Sequence, residues 1–99
     1  EQILAKYPAI VVKRDAANNI IELDMRQADQ SWLNDVASLS AIKTIKALRI
    51  NSDAAVDQLG RFSSLRNLYL YSSHVTGRSV ESIGKLTELK LLSFNECAL

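Results

Sequence analysis

The 99 residues hold 12 Lys and Arg against 11 Asp and Glu, a net charge of +1, and 47% of them are hydrophobic. That length suits one small domain with a continuous core, and the near-even charge excludes a general attraction to nucleic acid or to an anionic membrane surface. One Pro and three Gly exclude a collagen-like or low-complexity chain, and no apolar run approaches the roughly 18 residues of a membrane span.

Residues 1–7 read as a short helix with Ile3, Leu4 and Tyr7 on one stripe, ended by Pro8. Residues 9–13 are apolar and β-branched and read as a strand or edge segment. Residues 15–19, with Asn18 and Asn19, read as a polar turn. Residues 1–19 together are expected to form an N-terminal cap or lead-in, and residues 20–99 a region of four strands. The first strand spans 20–25. Ser31 is a helix N-cap candidate for residues 32–39, where Trp32, Leu33, Val36 and Leu39 fall at helical spacing.

Ile42 and Ile45 lead into a second strand ending near Asn51. Asp53 then caps a short helix over 54–59, with Val56 and Leu59 inward and Gly60 ending it in a left-handed conformation. The third strand covers 65–71. Gly77 and Ser79 lead into a helix over 80–86, with Val80 and Ile83 inward, and the fourth strand covers 89–95.

A six-residue pattern recurs along these strands. Leu65-x-x-Leu68-x-Leu70 is matched by Leu89-x-x-Leu92-x-Phe94, by Ile45-x-x-Leu48-x-Ile50 and more weakly by Ile20-x-x-Leu23-x-Met25, with starts 25, 20 and 24 residues apart. Phe62-Ser63-Ser64-Leu65 and Leu86-Thr87-Glu88-Leu89 lead into two of these strands, and Ile83-Gly84-Lys85-Leu86 looks like the end of a repeat helix. The chain in this way resembles the leucine-rich repeat family, whose repeat spans about 20–29 residues. The resemblance covers about residues 17–99. It departs from the family where Asn or Cys usually follows the strand, since those positions hold Ala28, Asp53, Ser73 and Cys97.

The resemblance implies an α/β fold: a short right-handed leucine-rich-repeat solenoid, with parallel strands on the concave face and short helices on the convex face. Period-two alternation then sorts the outward residues into lanes. One lane holds Asp24, Arg49, Tyr69 and Ser93. A second holds Arg26, Asn51, Tyr71 and Asn95, and a third Glu22, Ala47, Asn67 and Leu91. Asp24 and Arg49 are expected to pair on the surface. Tyr69 and Tyr71 stand out because tyrosine offers a broad apolar contact with a polar tip, although exposed aromatics also stabilise sheets by themselves.

Chemistry has little support. His74 lies among Ser72, Ser73 and Thr76, but no acid stands at a triad-like spacing. One His and one Cys, 23 residues apart, match no compact zinc pattern. Glycine-rich phosphate loops are absent, so no catalytic residue, cofactor or metal is assigned. Cys97, the single cysteine, has no internal disulfide partner and fits a buried, inert position, and the compartment is left open.

The expected function is noncatalytic: a protein- or peptide-binding module using the outward side of the parallel strands, through Arg49, Arg66, Tyr69, Tyr71 and Leu91. One alternative is a structural repeat segment or cap of a larger protein that self-associates through an open C-terminal end. The remaining alternative is a hydrolytic enzyme using His74. The expected partners are a protein or peptide, or a second copy through the C-terminal end, with no nucleic acid and no membrane insertion.

Overall fold

The computed structural model describes residue 7 and residues 9–26, 36–49 and 53–97. Strand β1 (Val11–Arg14) and strand β2 (Ile20–Asp24) are joined by the polar turn expected from the sequence. Asp15 shapes it: its Oδ1 accepts the backbone N–H groups of Ala17 and Asn19, each at 2.9 Å. Asn18 takes the left-handed conformation at φ 70°, which Asn tolerates better than most residues. The turn folds β1 back antiparallel to β2, with a register irregularity between Lys13 and Arg14.

Strand β3 (Thr44–Leu48), helix α1 (Asp53–Leu59), strand β4 (Asn67–Tyr71), helix α2 (Gly77–Ile83) and strand β5 (Leu91–Asn95) follow. The strands form one five-stranded sheet in the order β1-β2-β3-β4-β5. The pairs β2–β3, β3–β4 and β4–β5 are parallel. Leu23, Ile45 and Leu68 lie in register across three strands, and all are fully buried. Against them pack Ala55, Val56 and Leu59 from α1 and Ile83 from α2, with Phe62, Leu65 and Leu86 closing the layer.

Two helices of seven residues each are present among the described residues. Thr76 caps α2: its side chain accepts the N–H of Ser79, and the Ser79 hydroxyl accepts the N–H of Thr76. This box starts the helix earlier than the expected residue 80 and turns Ser79, Ser82 and Ile83 inward. Val80, expected to pack inward, is 60% exposed instead. Ser82 Oγ donates to the buried carbonyl of Val56 at 2.6 Å, tying the helices together. Gly60 does not adopt the expected left-handed conformation. Its role is close approach, because a Cβ there would lie 3.1 Å from Lys85 Cδ and 3.4 Å from the Ser82 carbonyl oxygen.

The chain folds as a small mixed α/β domain, which overturns the expected leucine-rich-repeat solenoid and the family resemblance behind it. The sheet is mixed rather than wholly parallel, because β1 runs against β2. Nor does the six-residue pattern repeat as read. Ile45 pairs with Leu68 and Leu48 with Leu70, so Lys46 and Ala47 together oppose Tyr69. This is a β-bulge, and Ala47 takes φ 55° within it. The bulge moves Leu48 into the place expected for Ile50. At β5, Leu92 and Phe94 are 37% and 42% exposed, whereas their partners Leu68 and Leu70 are buried. The expected helices over 1–7 and 32–39 fall mostly outside the described residues, as do Ile50 and Asn51.

Candidate functional site

An open cavity of about 810 Å³ lies on the face of the sheet where β2, β3, β4 and β5 end. Arg26, just past β2, contributes one wall, and Lys46 and Arg49 contribute the next. Tyr69 and Tyr71 come from β4, and their in-register partners Ser93 and Asn95 come from β5. Alternation along β4 puts both tyrosines on the face opposite Leu68 and Leu70.

The bulge decides which cations reach this place. With an extra residue in β3, Lys46 and Ala47 both border the cavity, Ala47 buried at its floor and Lys46 exposed. Arg49 follows the strand and folds back across the sheet. Its Nη2 donates to the Arg26 carbonyl at 3.1 Å, and its guanidinium carbon sits 5.6 Å from the centre of the Tyr71 ring, within cation–π range. The Arg26 backbone is itself fixed, since its N–H donates to Asp24 Oδ1 at 3.0 Å. Lys46 Nζ lies 3.3 Å from Glu22 Oε2. Among the described residues lining the cavity there are two guanidinium groups, one ammonium group and two phenols, and no carboxylate, histidine or thiol.

The expected outward lanes change accordingly. Glu22, Thr44, Asn67 and Leu91 align, so Thr44 replaces Ala47. Asp24 stands opposite Lys46 rather than Arg49, and the expected Asp24–Arg49 pair is replaced by the backbone contacts just described. Of the five residues singled out from the sequence, Arg49, Tyr69 and Tyr71 meet in the cavity. Leu91, opposite Asn67, stands at the other end of the strands, and Arg66 precedes β4 at that same end. Neither lines the cavity. Arg26 and Lys46 were not singled out. Arg26 already stands in an expected outward lane with Tyr71, whereas Lys46 reaches the cavity through the bulge in β3.

A second, more polar depression of about 410 Å³ lies beside the two helices and is lined by Asp57, Arg78, Glu81, Ser82 and Lys85. Arg78 forms a two-pronged pair with Asp57 there, at 3.0 Å from Nε to Oδ1 and 2.6 Å from Nη2 to Oδ2. The hydrogen bonds from Arg78 hold the Asp57 carboxyl below its ordinary range. The pair is exposed, and it joins α2 to α1.

His74 is exposed, and Cys97 is half-buried against the core, with its thiol 3.5 Å from the Asn95 carbonyl oxygen rather than fully enclosed as expected. Among the described residues no group of three His, Cys, Asp or Glu is placed to hold a metal, and no helix is long and apolar enough to cross a membrane.

Comparison with known proteins finds no family model that matches the chain, and no curated protein or solved structure that matches it significantly. The expected protein- or peptide-binding module and its alternative as a structural repeat segment both rest on the repeat reading. The mixed sheet, with β1 antiparallel, removes the concave solenoid face on which that binding mode depended.

Proposed function

We propose that the protein binds a small organic anion, carrying a phosphate or carboxylate group beside an aromatic ring, in the cavity where the strands end. Binding, not catalysis, is the reading. One observation carries it: Arg26, Lys46 and Arg49 converge on a space lined by Tyr69 and Tyr71, with no acidic side chain among the described lining residues. Guanidinium groups suit the planar, two-oxygen edge of a carboxylate or phosphate. The tyrosine faces suit a flat ring, and their hydroxyls supply further donors. Arg49 is already held by the Arg26 carbonyl and the Tyr71 ring, so less freedom is lost when an anion arrives.

Phenyl phosphate is the probe, titrated by calorimetry alongside inorganic phosphate and benzoate. Phenyl phosphate should bind tighter than inorganic phosphate, because only it uses the tyrosines. Arg49→Gln should weaken it about tenfold, the lower range for a hydrogen bond to a charged group. Lys13→Gln, on the far edge of the sheet, should leave binding unchanged. Equal affinities for the wild type, Arg49→Gln and Lys46→Gln would overturn the proposal.

A further inference from the structure

We propose that two copies of this chain associate edge to edge through β5, running antiparallel about a two-fold axis at Ser93. The two edges of the sheet differ in kind. β1 ends in Lys13 and Arg14 and carries a register irregularity between them, both of which discourage a strand from adding there. β5 reads Leu-Leu-Ser-Phe-Asn, without a charge or a proline. Leu91, Leu92 and Phe94 are 41%, 37% and 42% exposed along it.

The backbone sets the register. The Leu91 N–H donates to the Arg66 carbonyl, and the Asn95 carbonyl accepts the Ser72 N–H. Leu91 and Asn95 therefore turn their polar backbone groups toward β4. Alternation along the strand turns those of Leu92 and Phe94 to the open edge. An antiparallel copy satisfies them when Leu92 lies opposite Phe94 of the second molecule, and Phe94 opposite its Leu92. Ser93 then falls on the axis, facing its own copy. A two-fold axis normal to the sheet keeps both sets of helices on one side, so each Leu92 and Phe94 continues the buried layer of Leu68 and Leu70.

Charge supports a second copy as the occupant. The same register brings Lys90, just before β5, near Glu96 of the other molecule, which follows β5 at φ 53°, and does so twice. Both residues are exposed. No like charges are opposed anywhere along the pairing. A two-fold contact of this kind is closed, because the sheet of the described residues offers one such edge per copy.

Sedimentation velocity on the full chain, from about 5 µM to about 1 mM to span the affinities of small interfaces, should show a reversible monomer–dimer equilibrium. Lys90→Glu opposes like charges at both ends and should weaken the dimer about tenfold. Adding Glu96→Lys should restore it. In a Cys97→Ser background, Ser93→Cys should give a disulfide-linked dimer on oxidation, since a non-hydrogen-bonded pair brings its Cβ atoms to about 4.5–5.5 Å. A monomer throughout, or a species larger than a dimer, would overturn the proposal. So would association indifferent to Lys90→Glu, or a failed charge-swap rescue in protein with native circular dichroism.

Discussion

Leu68 and Leu92 occupy the same position in neighbouring strands, yet they should respond differently to truncation. They are in-register partners, with Leu68 fully buried and Leu92 37% exposed. Leu68→Ala removes a methine and its two methyl groups from beside Ile45 in the core, and the neighbours cannot close the gap fully. The expected loss is about 3–5 kcal/mol, combining the transfer and cavity terms. For a domain this size that lowers the melting midpoint by on the order of 20 °C. Leu92→Ala removes side chain that already meets water, and its open flank leaves no enclosed void, so the loss should be about 1 kcal/mol. Urea unfolding followed by circular dichroism, at a protein concentration low enough to keep the chain monomeric, separates the two. Equal losses would refute the reasoning, because they would mean that β5 is enclosed as β4 is.

Three further predictions concern the helices. Ser82→Ala leaves the buried Val56 carbonyl without its 2.6 Å donor and should cost about 1–3 kcal/mol in urea unfolding. Thr76→Ala removes the cap that accepts the Ser79 N–H; about 1 kcal/mol should be lost, and Thr76→Ser should recover most of it. The Asp57 carboxyl should titrate below the ordinary carboxylate value in an NMR pH series, with Arg78→Gln raising it. Its folded-state value is depressed, so the stabilisation is present above the unfolded value of 3.8 and is lost as pH falls below that toward the folded one. An Arg78→Gln variant whose Asp57 titrates as before would remove the guanidinium as the cause.

Particular residues show what the sequence makes legible and where it stops. The burial of Leu68 and Leu70 follows from their alternation, as does the outward direction of Tyr69 and Tyr71. The Asp15–Asn19 turn announces itself through residues that bond their own backbone. So short a turn also sets β1 antiparallel to β2, because parallel neighbours need a crossover of about a dozen residues or more. The bulge in β3 is silent: Ala47 adopts φ 55°, a conformation that alanine does not advertise. Without it, the sequence pattern puts Leu48 two residues out of register with Leu70 and gives no sign that Lys46 borders the cavity. Val80 misled because apolar character was weighed above Thr76 and Ser79, whose three-residue spacing sets where α2 begins. Leu92 and Phe94 carry the apolar pattern of buried residues, but burial also needs a neighbouring strand, and no pattern within β5 supplies one. The convergence of Arg26, Lys46 and Arg49 is a product of register, and it became visible only with the strands paired.

The most direct test of anion binding at the strand ends is a map of amide chemical-shift changes as phenyl phosphate is titrated into isotope-labelled protein. Saturable shifts concentrated at Arg26, Lys46, Arg49, Tyr69, Tyr71 and Ser93, and lost in Arg49→Gln, are predicted. Shifts that rise without saturating, or that centre on Lys13 and Arg14 or on the Arg78–Asp57 pair, would contradict the account.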